Sequence, residues 1–445
     1  MFNKNEILLS EFSPPTQIAN NPVTRIFDIW IAKKRVSRYS VFVAHQRKRH
    51  ILEVLDKLLT FSPIVGIFGH RQVGKSTFIA SYVNEYRTLD DVDALEAAHS
   101  NPKRYIQSAS KGPLAIDECQ LEPKLFPTLK EWIRTHKKPG QFVLSGSVRF
   151  TSRKAIRESL AGRMALLEMV PFSVSEIAGE PLSDAVLQLF HHQVFSESSI
   201  RYLNTIKKRN QFKKQFNLYL ELGGLPGLCF IRSPELRRNA LNELHDLMLA
   251  RDLRLVSDLK TPIATLKKLL SYLARKGFES YNASEVKRTL GLAPQTQKKI
   301  LYAMESIFLI RRIPMPLNKK EAILLEDQLE ECVYSGNALD RMKQLETAVY
   351  RNLRTQFGYR LDKNAQFESY LTRDNARVPI VIRNGDHTLG IIVTLTEKPS
   401  LSETRSAASF LKKNASAKIL YLSAESIPDC VLDDRALLCS IYAVL

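Results

Sequence analysis

The chain lacks the features that mark secreted, disulfide-stabilised and membrane-spanning proteins. Its five cysteines are scattered without a Cys-x-x-Cys pair, which argues against a zinc site or a disulfide framework and for a reducing compartment. No stretch approaches the roughly eighteen consecutive apolar residues that a membrane-spanning helix needs. Glu6 and Glu11 interrupt any apolar run at the start. We therefore expect no signal peptide, no membrane partner and a cytoplasmic location.

Acidic residues are also few, 46 against 65 basic ones, and the formal net charge is +19. Much of the excess lies in short clusters at 33–35, 47–49, 207–209, 237–238, 298–299 and 311–312. Such clusters can form an electrostatic footprint for nucleic acid, but solvated helix faces give the same pattern. The length of 445 residues predicts more than one domain.

One stretch specifies a chemistry. An apolar strand at 64–68 runs into Gly69-His70-Arg71-Gln72-Val73-Gly74-Lys75-Ser76-Thr77, and an apolar-periodic helix follows. The Gly-x-x-x-x-Gly-Lys-Ser pattern between a strand and a helix predicts a phosphate-binding P-loop. Its backbone N–H groups and the helix N-terminus would cradle a polyphosphate, Lys75 would reach the β- and γ-phosphates, and Ser76 would ligate Mg²⁺. We predict ATP and Mg²⁺ as cofactors, with residues 69–77 as the nucleotide contacts.

A second apolar stretch, 112–120, contains the adjacent carboxylates Asp117 and Glu118 at its end. In P-loop ATPases a carboxylate at this strand end holds Mg²⁺, and a following glutamate can orient and deprotonate the attacking water. We assign the metal role to Asp117 and the general-base role to Glu118, which joins Lys75 as a catalytic candidate. The alternative is an acidic pair that caps a helix N-terminus.

A buried strand is also predicted at 141–147. In an AAA-type sheet, a strand here would lie between the P-loop strand and the Asp117 strand. Its end would bring Ser145 or Ser147 near the γ-phosphate, and Ser147 is our candidate contact; an ordinary Ser-Gly turn is the alternative. With a fifth strand at 165–169, the alternation of strands and helices predicts a parallel α/β sheet in a P-loop NTPase core, 41–175.

The rest of the chain divides into segments that differ in their sequence patterns. Residues 1–40 are expected to be an extended lead-in, 176–258 a helical lid packed on the sheet, 259–316 a winged-helix-like unit and 317–445 a small α/β domain. The stretch 284–301 has the pattern of a helix-turn-helix, with Gly291 at the turn. Its second helix presents Gln295, Thr296, Lys298 and Lys299 for DNA, although many such units mediate only protein contacts.

The order and spacing of its motifs make the chain resemble a family of prokaryotic ATPases. These are the AAA-superfamily (STAND-like) P-loop ATPases that carry a C-terminal restriction-endonuclease-like domain of unknown function. Besides the P-loop and 116–120, the matching stretches are 86–91, 142–147, Leu160-Ala161-Gly162-Arg163, 171–173, Gly223-Gly224-Leu225-Pro226 and Arg251-Asp252. The resemblance implies an ATP-hydrolysing switch that couples nucleotide state to C-terminal interaction domains. One departure is His70, where the family usually has proline. We expect no consequence, because that side chain would point away from the phosphates.

The resemblance implies two further roles. Pro226 is similar to the proline of a Gly-x-Pro element that packs on adenine, although a plain helix-breaking turn gives the same pattern. Arg163 is similar to an arginine that approaches a phosphate, either within the subunit or as a finger from a neighbouring subunit of an oligomer. A structural salt bridge at Arg163 is an equal alternative.

The C-terminal domain departs from the resemblance at its key positions. Relatives carry Glu-Val-Asp-Phe and Ile-Glu-Val-Lys on successive strands, where this chain has Arg-Val-Pro-Ile at 377–380 and Ile-Ile-Val-Thr at 391–394. Glu346 alone remains as a ligand, and one carboxylate holds Mg²⁺ poorly. We expect a degenerate domain that has lost nuclease activity and keeps an interaction surface.

The alternative function is a nucleotide-stabilised module that binds DNA or a protein partner with little turnover. A GTPase is disfavoured because the guanine-reading Asn-Lys-x-Asp motif is absent; the stretch 318–321 reads Asn-Lys-Lys-Glu.

Overall fold

The computed structural model describes residues 47–107, 112–149, 160, 162–204, 209–336, 340–360 and 364–445, with only the backbone at 209–211. The expected lead-in at 1–40, Ala161 and two of the three residues in the basic cluster at 207–209 lie outside the described residues. Within the described ranges, no helix is long and apolar enough to cross a membrane.

The elements are numbered in chain order. The helices are α1 (Ile51–Leu59), α2 (Lys75–Tyr82), α3 (Val92–Ser100), α4 (Pro102–Gln107), α5 (Leu125–Thr135), α6 (Val174–Ala178), α7 (Ala185–His191), α8 (Glu197–Asn204), α9 (Arg209–Leu222), α10 (Pro234–Leu247), α11 (Leu253–Val256), α12 (Ile263–Lys276), α13 (Ala283–Leu290), α14 (Pro294–Ser306), α15 (Gln328–Ser335), α16 (Arg341–Tyr359) and α17 (Leu401–Lys413). The strands are β1 (Ile64–Phe68), β2 (Glu85–Thr88), β3 (Leu114–Asp117), β4 (Phe142–Gly146), β5 (Met164–Glu168), β6 (Ile310–Met315), β7 (Lys320–Leu325), β8 (Gln366–Leu371), β9 (Arg377–Asn384), β10 (His387–Thr394), β11 (Ala417–Ser423), β12 (Cys430–Asp433) and β13 (Ala436–Ser440). A π-helical turn, Met248–Asp252, joins α10 to α11.

The first sheet contains five parallel strands in the order β2-β3-β4-β1-β5. Strands β1, β3 and β4 are buried along their whole length, as expected for a parallel sheet covered on both faces. Strand β4 lies between the P-loop strand β1 and the Asp117 strand β3, as the sequence predicted. The predicted parallel α/β sheet is confirmed.

Amphipathic helices cover this sheet. Helix α1 buries Ile51, Val54, Leu55 and Leu58, a spacing that places the four on one face. These residues share a core with Val65 of β1. The helix before the P-loop strand therefore packs on the sheet.

Phe190 of α7 and Phe216 of α9 belong to the core that contains Leu353 of α16 and Ile391 of β10. These two helices therefore share their core with the C-terminal sheet, and the lid at 176–258 stays a prediction. The later part of this region, α10 to α11, shares its core with α12 and α14.

Three helices, α12 to α14, precede an antiparallel hairpin of β6 and β7. Gly291, between α13 and α14, has φ of 69°, the left-handed conformation that glycine adopts readily at a helix end. The hairpin continues to Leu325, so it crosses the boundary expected at 316. A winged-helix unit stays a prediction.

The second sheet has six strands in the order β12-β13-β11-β10-β9-β8. Strands β10, β11 and β13 are parallel, and the other neighbours pair antiparallel. This C-terminal α/β sheet was expected, although β12 and β13 were not predicted. Its relation to nucleases stays a prediction.

Candidate functional site

The predicted P-loop lies at the carboxyl end of β1 and leads into α2. Gly74 has φ of 92°, which disfavours any residue with a Cβ. A Cβ on Gly69 would lie 2.1 Å from the carbonyl oxygen of Met169, so this position also requires glycine. Helix α2 begins at Lys75, and its first N–H groups therefore face the loop. The loop has the backbone of an anion site.

Lys75 is buried inside this loop. Its Nζ donates hydrogen bonds of 3.0 Å to the carbonyl oxygens of Gly69 and His70. Burial lowers the pKa of Lys75 from its usual 10.5, while Glu118 and Asp117 oppose that shift. The ammonium therefore lies where a phosphate would bind, held by carbonyl oxygens that phosphate oxygens could replace.

Asp117 is fixed at the end of β3 by its neighbours. Its buried carboxylate accepts a 2.7 Å hydrogen bond from the Tyr86 hydroxyl of β2 and another from Ser145 Oγ of β4. Ser76 lies near the same hydroxyl and opposes the rise in the pKa of Tyr86. The two predicted magnesium ligands, Ser76 and Asp117, are thus both close to Tyr86, and their oxygen atoms suit Mg²⁺.

Glu118 follows in a left-handed backbone conformation, φ 52°, which is uncommon for a residue other than glycine. Its carboxylate accepts a hydrogen bond from Gln120 Nε2. Burial raises the pKa of Glu118 above 4.5, Lys75 opposes the shift, and Asp117 adds to it. A carboxylate of raised basicity beside a phosphate loop has the character required of a general base.

The Gly223–Gly227 loop reaches the P-loop from the other side. Pro226 Cγ lies 3.6 Å from the position of a Cβ on Gly74, and Gln72 Oε1 lies 3.0 Å from that of a Cβ on Gly227. The backbone N–H of Gly224 donates a 2.8 Å hydrogen bond to Asp327. The structure therefore places Pro226 beside the phosphate loop, as the adenine role would require.

Arg163 is not brought to this site. It directly precedes β5, whose Met164 pairs with Ile64 and whose Glu168 pairs with Phe68. Since each strand residue advances about 3.3 Å, Arg163 lies about 20 Å from the P-loop, at the opposite end of the sheet. A phosphate contact within the subunit is therefore wrong, and an arginine finger from a neighbouring subunit stays a prediction.

Ser147 is buried just beyond β4, and its contact with nucleotide also stays a prediction.

Two residues that were not predicted as site residues, Arg49 and Asp252, hold the loop in place. The buried Arg49 guanidinium donates to the carbonyl oxygens of Val73 at 2.9 Å and Val170 at 2.6 Å. Arg71 Nη1 lies 3.1 Å from Asp252 Oδ2. Arg49 belongs to the basic cluster at 47–49, so this member of the cluster is structural and not free for nucleic acid. Arg251-Asp252 was among the stretches that carry the resemblance. The resemblance therefore pointed to Asp252 but not to its pairing with Arg71.

His70 has an environment that the sequence did not indicate. Its ring is buried, and Nε2 lies 3.0 Å from Glu330 Oε1 of α15. The same oxygen lies 2.8 Å from Nε2 of His245 on α10. A sequence separation of 260 residues between His70 and Glu330 left no local signal for this contact.

Comparisons with known proteins agree with this geometry. Residues 61–178 match the family described as "AAA domain", and residues 213–321 match a "Domain of unknown function (DUF8612)". The chain is 25% identical over 262 residues to the uncharacterized proteins Rv2008c of Mycobacterium tuberculosis and Mb2031c of Mycobacterium bovis. That match covers 58% of this chain and 51% of each relative, so the chain spans about half the length of the curated relatives it matches.

Three solved structures are similar at low levels. A STAND protein with a tetratricopeptide repeat sensor from Pyrococcus horikoshii has a TM-score of 0.26 at 15% identity, covering 73% of this chain and 48% of that one. AMPPCP-bound DnaA from Aquifex aeolicus has 0.23 at 14%, covering 58% and 85%. A RuvB variant from Thermotoga maritima has 0.27 at 14%, covering 59% and 89%. Similarity at this level carries no argument about function. By its family match, with the loop and sheet in agreement, the chain contains an AAA-type P-loop NTPase domain at residues 61–178.

Proposed function

We propose that this protein is a Mg²⁺-dependent ATPase that acts as a molecular switch, coupling nucleotide state to its C-terminal half. The observation that carries the proposal is the position of Lys75 between the P-loop carbonyls and the Asp117–Glu118 pair. A cation, a metal-binding carboxylate and a basic carboxylate beside one anion loop are the parts that phosphoryl transfer to water needs.

Each residue has one role in this proposal. The loop N–H groups and Lys75 bind the β- and γ-phosphates, while Ser76 and Asp117 hold Mg²⁺. Bound Mg²⁺ would neutralise charge on the phosphate oxygens. Glu118 orients the attacking water and accepts its proton, and Pro226 packs on the base.

Release of phosphate from ATP by the purified full-length protein tests this function. Glu118→Gln keeps the shape of the side chain but removes the base, so we expect hydrolysis to fall by about a hundredfold or more with ATP binding retained. Glu96→Gln, which changes an exposed carboxylate of the same domain, is the matched control and should leave turnover unchanged. Equal loss of binding and hydrolysis in Glu118→Gln would make Glu118 structural.

A second candidate function is DNA binding by α14. Gln295, Lys298 and Lys299 are exposed, whereas Gln297 turns inward and donates to the carbonyl oxygens of Ala283 and Leu292. The exposed face is therefore polar, basic and accessible, as contact with a phosphate backbone requires.

Binding of labelled duplex DNA at several salt concentrations tests this candidate. Changing Lys298 and Lys299 together to alanine should weaken binding and make it less sensitive to salt, since two phosphate contacts are lost. The exposed pair Lys137 and Lys138, between α5 and β4 of the P-loop domain, provides the control. Equal binding by both double variants would exclude α14 as the contact.

A further inference from the structure

The buried carboxylate of Glu330 joins two imidazole rings from distant parts of the chain. Its Oε1 atom lies 3.0 Å from Nε2 of His70, in the P-loop, and 2.8 Å from Nε2 of His245, on α10. Its other oxygen accepts a 2.9 Å hydrogen bond from the backbone N–H of Asp327. All three side chains are buried, so bulk water does not screen their charges.

The partners of these rings decide where the protons lie. Nδ1 of His70 lies 2.5 Å from the carbonyl oxygen of Arg71, which can only accept, so Nδ1 carries a proton. Nε2 of the same ring lies 3.0 Å from the Glu330 carboxylate. The charge of that carboxylate favours the protonated, positively charged ring and holds the pKa of His70 above its usual value.

His245 completes the cluster. Its Nε2 is hydrogen-bonded to Glu330, and its Nδ1 is hydrogen-bonded to the Tyr334 hydroxyl, each at 2.8 Å. The Glu330 carboxylate offsets the positive charge of His70, as a buried cation requires.

We propose that His70 is a positioning residue, a buried cation that ties the P-loop to α15 and makes nucleotide binding depend on the C-terminal half. The inference rests on the proposed function, because it concerns the binding of nucleotide by the P-loop. It assigns the shape of that loop to a contact with a residue outside the P-loop domain. His70 touches no phosphate in this proposal; it acts through the backbone that it anchors.

The first turn of α15 contacts both sides of the nucleotide site. Glu330 holds the P-loop through His70, and Asp327 holds Gly224 of the loop that carries Pro226. Helix α16 supports that turn, since Arg351 donates to Gln328 Oε1 at 2.6 Å. A shift of α15 would therefore disturb the phosphate side and the adenine side together, which gives the two halves a physical coupling.

The charge on His70 makes the contact sensitive to pH. Burial lowers the pKa of His70, but the facing carboxylate of Glu330, the Arg71 carbonyl and Glu326 outweigh it, so the pKa lies above the usual 6.5. His245 of α10 faces the same carboxylate, and the Tyr334 hydroxyl of α15 is hydrogen-bonded to the other nitrogen of His245. Since the folded pKa is raised, the stabilisation is fully present below about pH 6.5 and is lost as pH rises through the folded value. Asp327, with a pKa raised to about 6, titrates below this window.

The affinity of the full-length protein for Mg²⁺ and a non-hydrolysable ATP analogue, measured from about pH 6.5 to 9, tests the inference. Wild type should bind more weakly as pH rises. His70→Gln should bind about tenfold more weakly at the acid end, because one favourable charge contact is lost, and its affinity should vary less with pH. His136→Gln, an exposed histidine of the same domain, should behave as wild type.

Glu330→Gln removes the carboxylate charge while keeping its shape, and it should weaken binding as His70→Gln does. The double variant should lose little more, because both single changes break the same contact. Histidine nitrogen NMR of wild type near pH 7 should show one doubly protonated ring whose signal is absent in His70→Gln.

The outcomes separate the two proposals. Failure of wild type to bind the analogue would reject the proposed function itself. Binding by wild type with unchanged affinity and pH dependence in His70→Gln and Glu330→Gln would reject only the role of His70. Stoichiometric metal in the purified protein that is lost in His245→Gln would also overturn it, since a metal ion would then replace the proton between the rings and Glu330.

Discussion

Each of the two sheets has a carboxylate near a cation, but the two cations have different bonding partners. At the P-loop sheet, Glu118 has a basic, partly buried carboxylate beside the phosphate loop, and the cation that opposes its raised pKa is the catalytic candidate Lys75. At the C-terminal sheet, Glu346 of α16 is buried against the guanidinium of Arg377, which stands at the start of β9. Both carboxylates have raised pKa values because of burial, with an opposing cation.

The difference is in what each cation is free to do. Lys75 is bonded to backbone carbonyl oxygens and can turn to a phosphate, whereas Arg377 is committed to Glu346. Pro379, at the position where the sequence resemblance implies an acidic residue, lies where the pairing of β8 with β9 is irregular. The first sheet thus has its carboxylate near a lysine that is bonded to backbone carbonyl oxygens, and the second has the same residue type in an ion pair.

The largest effect should come from Lys75→Ala. Removing the P-loop side chain expected to contact the β- and γ-phosphates should lower both ATP affinity and hydrolysis by about a hundredfold or more. Calorimetric titration with ATP and a phosphate-release assay measure the two. Circular dichroism of the variant serves as a control for folding, and retained hydrolysis would contradict the assigned site.

A smaller effect is expected from pH on hydrolysis. Glu118 must be ionised to accept a proton, and its pKa is raised above 4.5, so kcat/KM should rise with pH through that raised value. The acid limb should disappear in Glu118→Gln, whose residual rate no longer depends on this group. An acid limb that persists unchanged in the variant would assign it to another residue.

On the C-terminal side, Arg377→Ala should leave Glu346 buried without a partner. We expect a loss of about 1–2 kcal/mol in the free energy of unfolding, reduced from the usual cost because the Arg377 side chain is 32% exposed. Chemical denaturation measures it, with the exposed Arg373→Ala as the control. ATP hydrolysis should stay unchanged, and a fall would mean that the two sheets are coupled through this pair.

The smallest effect is expected from Tyr86→Phe. This change removes the hydroxyl that donates to Asp117 while keeping the ring, so one predicted magnesium ligand loses a hydrogen-bond partner. A shift of a few-fold in the Mg²⁺ concentration needed for half-maximal hydrolysis should follow. Tyr82→Phe, whose hydroxyl bonds the carboxylate of Asp56 away from the site, provides the comparison.

Local patterns predicted much of the P-loop domain. The strand at 64–68 followed from an apolar run directly before Gly69 and Gly74, because these signals lie within a few residues of one another. The position of β4 followed from the strand order of an AAA-type sheet. Part of the second sheet was also predicted from local apolar runs. Its strands β12 and β13, which are short, were not predicted.

Contacts between distant segments were not predictable in this way. His70 was expected to have no consequence, yet its ring is paired with a residue of α15. Arg49 was assigned to a basic cluster, yet it binds the backbone of the P-loop. The packing of α7 and α9 on the C-terminal sheet likewise depends on which apolar faces meet, and a single amphipathic pattern does not specify its partner.

The π-helical turn at Met248–Asp252 has a consequence of its own. Adjacent residues of this turn contact different elements: Arg251 lies 3.7 Å from Asp90, beyond β2, and Asp252 is paired with Arg71. Because successive residues of a regular α-helix differ by about 100° around the axis, removing one residue from this turn would rotate Asp252 away from the loop. The number of residues in the turn, as much as their identity, therefore determines whether Asp252 can pair with Arg71 of the P-loop.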